Sequence, residues 1–127
     1  MKLIIHNYGK IPESYKYMQG PSQPLDECNL EKFDKLQLDE VWYWYASAPY
    51  EGSGYVLMRR GEQYDLADLG HCSCYGPTDR ISFTGYSLHD LKKSLSEGTK
   101  EEAEYLIQMA ESQLQQPKKN RIIYYYE

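Results

Sequence analysis

An α+β fold, built as an antiparallel β-meander sheet with two C-terminal helices packed on one face, is what these 127 residues predict. Three observations point to it. The middle of the chain carries Val41-Trp42-Tyr43-Trp44-Tyr45-Ala46, dense in residues that suit pleated strands, with turn residues spaced closely behind it. The last third carries Ala103, Leu106, Ile107, Ala110 and Leu114 at helical spacing. The length is that of one domain, enough to bury a core without disulfide staples, so residues 1–127 read as a single unit.

In chain order, Met1 to Ile5 is a short β-branched run closed by Asn7-Tyr8-Gly9 and reads as a first strand. Ile11 to Pro24 carries Pro12, Gly20, Pro21 and Pro24 and reads as irregular. The spacing of Leu25, Cys28, Phe33 and Leu36 gives one or two helical turns, and Leu36, Leu38 and Glu40 then begin an extended alternation. Val41 to Ala46 should be an inner strand. Ala48 to Gly54 supplies a hairpin turn, Tyr55 to Met58 a second strand, Arg60-Gly61-Glu62 a tight turn, and Gln63 to Leu66 a third strand. Ile81-Ser82-Phe83 is expected to add a brief strand. Ser87, with Asp90 three residues on, signals the cap of a helix reaching about Leu95, which Gly98 ends. Thr99 with Glu102 repeats the signal for a helix from Lys100 to about Gln115, stopped by Pro117. Ile122 to Tyr126 fits an edge strand whose basic flank, Lys118, Lys119 and Arg121, discourages further pairing. Together these give a sheet with helices on one side, a two-layer arrangement.

Composition narrows the function classes. The chain has 14 basic and 19 acidic residues, a net charge of −5, which argues against direct binding to nucleic acid, a role that needs a basic surface. It suits a basic partner. Acidity concentrates from Asp26 to Glu51, where Asp34, Asp39 and Glu40 form a candidate binding face. Aromatic usage is skewed to 14 Tyr and 2 Trp against 2 Phe, residues that join a large ring to a polar handle and suit contact surfaces. The apolar runs fall short of the ~20 residues of a membrane helix, and three cysteines without a secreted-type spacing suggest a reducing cytoplasm.

Chemistry-bearing residues gather in Gly70-His71-Cys72-Ser73-Cys74-Tyr75-Gly76-Pro77. His71, Cys72 and Cys74 are soft or borderline metal ligands, but neighbouring side chains diverge and a tetrahedral zinc would need more from Cys28, His89 or His6. No metal and no cofactor is therefore assigned. A thiolate nucleophile would need a base from His89 or His6, and no catalytic residue is named. The simpler reading is a shaped turn whose His71 and Tyr75 are exposed for contact, lying beside Tyr50-Glu51-Gly52-Ser53-Gly54, where Tyr50 and Glu51 complete the candidate binding residues. Arg59, Arg60 and Arg80 read as surface charge. Glu101, Glu102 and Glu104 suit the positive end of the last helix's dipole.

The run from Asp39 to Tyr45, then Tyr50 to Gly54, then Leu69 to Pro77 resembles a group of small proteins encoded by bacteria and their phages. That resemblance covers the middle third of the chain and implies a bacterial cytosolic setting, without supplying an activity. The expectation is a small acidic binding protein that is not an enzyme, a phage-encoded, anti-CRISPR-like inhibitor of a nucleic-acid-binding bacterial defence protein. The alternatives are a protein sequestering a nucleotide-like molecule and a zinc- or thiol-dependent enzyme.

Overall fold

The computed structural model describes residues 2–7, 25, 27–48, 51–72, 76–113 and 122–125. Their elements run β1 (Lys2–Asn7), α1 (Glu27–Lys35), β2 (Glu40–Ala48), β3 (Glu51–Arg60), β4 (Gln63–Asp68), β5 (His71–Cys72), α2 (Leu88–Ser94), α3 (Glu97–Gln113) and β6 (Ile122–Tyr125). The fold class is α+β. The sheet order is β4-β3-β2-β1-β6, with β5 paired to β3 off that path.

The sheet is mixed and not wholly antiparallel. β1 lies parallel to β2, with Ile4 opposite Glu40 and His6 opposite Trp42, because the chain between them crosses one face of the sheet and returns in the same direction. β6 joins the far side of β1 antiparallel, Leu3 opposite Tyr124. β2 is the inner strand expected of its aromatic block.

A hairpin follows it. Gly61, at φ +62°, supplies the left-handed turn between β3 and β4 that side-chain-bearing residues resist. Tyr55 faces Asp68 and Glu51 faces Cys72, so β4 and β5 run along β3 in one unbroken register. Leu69 N donates to Gly54 O across the gap at 2.8 Å. Glu51 to Gly54, expected as a turn, is therefore strand, flanked by β2 on one side and β5 on the other. Gly54 is required there: a Cβ would stand 2.2 Å from Trp44 O.

Alternation along the strands sorts two apolar faces. Leu3, Ile5, Val41, Tyr43, Tyr45, Val56 and Met58 pack with Leu30 and Phe33 of α1 and with Leu69 and Ile81. Trp42, Trp44, Ala46, Leu57 and Tyr64 pack with Leu91 of α2 and Ala103, Leu106, Ile107 and Ala110 of α3. The two C-terminal helices share one face as expected, but α1 covers the other, so the expected two layers become three. Phe33 is fully buried, a burial that contributes about 2–3 kcal/mol.

Local chemistry fixes the helix ends. α1 stops where Gln37 takes φ 59°, turning the chain into β2, so the alternation expected from Leu36 begins only at Glu40. Arg60 Nη2 donates to Leu36 O at that helix end, its guanidinium 4.5 Å from the Phe83 ring centroid. Ser87 Oγ accepts from Asp90 N at 3.1 Å, the cap its sequence signals. α3 begins earlier than expected: Ser96 Oγ accepts from Thr99 N at 3.2 Å, and Gly98 sits inside the first turn. Residues 81–83 form no strand. The segment meets β4 by a bridge between Tyr86 and Tyr64. No helix among the described residues is long and apolar enough to cross a membrane.

Candidate functional site

The expected contact loop opens as a strand. His71 and Cys72 pair with Gly52 and Glu51, so the two glycine-containing segments are neighbours, as their sequence suggested. Glu51 is exposed. Tyr50 and Tyr75 lie outside the described residues, as do Ser73 and Cys74. His6 stacks on Trp42 with centroids 5.3 Å apart, on the α2–α3 side of the sheet, whereas α1, which carries Cys28, lies on the other side. Among the described residues no group of three or more His, Cys, Asp or Glu side chains converges to hold a metal.

The acidic residues expected to form one binding face diverge. Asp34 lies on α1, with Oδ1 buried and lacking a hydrogen-bond partner among the described residues. Asp39 Oδ2 accepts from Gly61 N at 2.7 Å and stands 3.7 Å from Arg59 Nη1. Glu40 turns inward. Its Oε2 lies 2.6 Å from His6 Nε2, and its Oε1 accepts from Arg59 Nε at 3.2 Å and lies 3.1 Å from Arg59 Nη2.

The electrostatics of that cluster follow from its burial. Removing the Glu40 carboxylate from water would raise its pKa, but the His6 hydrogen bond and the charges of His6 and Arg59 outweigh this and hold it below its ordinary value. Beside it, burial pushes the Tyr64 hydroxyl up; Arg59 opposes that, while Glu40 and Glu62 add to it. His6 is 2% exposed and Glu40 7%. A substrate in solvent does not reach a pair so enclosed. The cluster acts as a clasp across β1, β2 and β3, and Glu40 and Arg59 are withdrawn from the surface roles their types suggested.

The β2 aromatics are likewise core. Trp42, Tyr43, Trp44 and Tyr45 are all buried, so they provide neither a stacking platform nor a contact surface. Two of their polar handles tie the core to its surroundings: Tyr43 Oη accepts from Leu25 N at 3.1 Å, and Trp44 Nε1 donates to Glu102 O at 2.9 Å, whereas the buried Trp42 Nε1 has no hydrogen-bond partner among the described residues. The Tyr55 hydroxyl is pushed up by burial and by its hydrogen bond to Glu102, which ties β3 to the inner side of α3.

The outer side of α3 carries a feature that the sequence reading passed over. Glu97, Glu101, Glu104, Gln108 and Glu111 recur every three or four residues and therefore fall in one row along the helix. With Ile107, Lys92 and Lys100 they line a groove of about 550 Å³. Lys92 Nζ bonds Glu111 Oε1 at 2.8 Å and Gln108 Nε2 donates to Glu104 Oε1 at 3.1 Å. Glu97, Glu101 and Glu104 are exposed. The signal was present as the 3–4 spacing of acids and was assigned only to the helix dipole. No protein-family model matches this chain, and no curated protein or solved structure matches it either.

Proposed function

We propose that this chain is a non-enzymatic binding protein that sets the acidic face of α3 against a basic site on a protein partner, the mode of a phage-encoded inhibitor covering the nucleic-acid surface of a bacterial defence protein. The exposed row Glu97, Glu101 and Glu104 along a groove of about 550 Å³ carries the reading, with Glu111 at its end paired to Lys92. A rigid helix displays carboxylates in fixed geometry, which favours steering and register against a positively charged surface. The net charge of −5 adds long-range attraction to such a partner.

The test is association with purified bacterial nucleases, measured by surface plasmon resonance at rising salt. Binding should be present, its on-rate should fall as salt screens the charges, and Glu101→Lys with Glu104→Lys should weaken it about tenfold, equivalent to about 1.4 kcal/mol. Binding that ignores both salt and the charge reversals overturns the proposal.

A further inference from the structure

A second surface, independent of the α3 face, lies at the open edge of the sheet. β4 ends the strand order, and Tyr64 exchanges both backbone hydrogen bonds with Tyr86, at 2.7 and 2.9 Å. The backbone groups of Tyr64 therefore point away from β3, and strand alternation turns those of Leu66 and Asp68 the same way. The segment after Arg80 does not continue the pairing past Tyr86. Thr84 N donates to Asp65 Oδ2 at 2.7 Å, and Asp65 Oδ1 takes Leu66 N at 2.9 Å. One carboxylate thus wedges the segment off the strand and leaves a groove of about 520 Å³ between Asp65–Asp68 and Arg80–Ser82.

We infer that this groove is a strand-addition site for an extended, basic peptide segment of a partner protein. The outward C=O of Leu66 and N–H of Asp68 are the acceptor and donor that an added strand uses, and no strand lies beyond β4 among the described residues. Three residues of strand, Leu66 to Asp68, span about 10 Å, so the occupant contributes a stretch of similar length. Charge selects a basic side chain on the β4 wall. Asp65 has both oxygens engaged, while Asp68 is exposed and accepts from Gly70 N at Oδ1 alone, leaving Oδ2 for a Lys or Arg of the peptide. Arg80, Ser82 and Thr84 line the far wall, where the hydroxyls suit a polar backbone rather than an apolar side chain and the guanidinium repels a basic side chain towards Asp68.

The probe is the peptide acetyl-Thr-Val-Lys-Val-Thr-amide, titrated into the whole chain labelled with nitrogen-15. Amide shifts should concentrate at Leu66, Ala67 and Asp68 and at Ser82 to Thr84. Three changes separate strand addition from charge attraction. Methylating the peptide's backbone nitrogens should abolish binding. Asp68→Asn, which keeps the acceptor for Gly70, should weaken it about two- to fivefold, the range of an exposed ion pair. Asp68→Pro, which removes the outward N–H without taking a ladder bond from β3, should abolish it. Equal binding of the methylated peptide, shifts centred on α3, or no binding of the parent peptide overturns the inference. So does concentration-dependent dimerisation through β4 in sedimentation, which makes a second copy of the chain the occupant.

Discussion

Glu40 turns from an expected surface acid into the hub of a buried cluster, and its protonation state is a stability term. Its pKa in the folded chain lies below the ordinary value of 4.5. The folded form therefore holds the proton less tightly, and the stability so gained is complete above that ordinary value and is lost as pH falls through the lowered one. Urea midpoints should accordingly hold steady above the ordinary value of 4.5 and fall as the pH drops below it. Glu40→Gln, which leaves the half-buried Arg59 with only the more exposed Asp39 as countercharge and takes the carboxylate from His6, should cost about 1.5–3 kcal/mol at pH 7 and flatten that acid-side decline. An unchanged decline in the variant would assign the acid sensitivity elsewhere. Glu40 was misread because it stands in an acidic stretch, while its partners His6 and Arg59 lie 34 and 19 residues away in sequence. Gly54 was misread for a similar reason: glycine marks both turns and close backbone approach, and only the position of Trp44 O separates the two.

Strands and helices were legible where the pattern was local. β2, the Gly61 turn, β4 and the Ser87 cap follow from residue type and spacing within a few positions. The start of α3 does not, because Gly98 reads as a helix stop. In the first turn, however, backbone N–H groups lack intrahelical partners anyway, and a glycine there is tolerated once a cap is in place. Ser96 is that cap, accepting from Thr99 N and donating through Oγ to Thr99 Oγ1 at 3.0 Å. Ser96→Ala should destabilise the chain by about 1 kcal/mol. Thr99→Ala, which keeps the backbone N–H that Ser96 binds, should cost less than half of that. Thermal unfolding of the two variants orders them, and the opposite order would return the cap to Thr99. Among the candidate contact residues, the same limit applied: the nearness of His71 to Gly52 was legible as two turn-rich segments in one hairpin, whereas the acidic row of α3 needed its true start at Glu97 before all of its members shared one helix.

Across the whole molecule, the parallel placement of β1 converts a meander into a three-layer domain. Nothing in the composition of Lys2–Asn7 specifies its neighbour; both sides of β1 are filled from far along the chain, by β2 and by β6. Once β1 and β2 run in parallel, the chain between them must cross a face, and α1 supplies that cover. Phe33→Ala should therefore cost about 3–5 kcal/mol in urea unfolding, since a fully buried ring would leave a cavity under α1. A cost below about 1 kcal/mol, the level of an ordinary surface change, would mean that α1 adds little to that layer.

The pairing of Lys2 with Tyr125 has a temporal side. During synthesis β1 emerges first and β6 last, so β2, β3 and β4 can assemble on β1 while the place beside it stands vacant. Until β6 arrives, the nascent sheet has two open borders, and the one beside β1 is lined by Leu3, Ile4 and Ile5. Completion depends on closing a loop of more than a hundred residues, whose entropic cost grows only slowly with length.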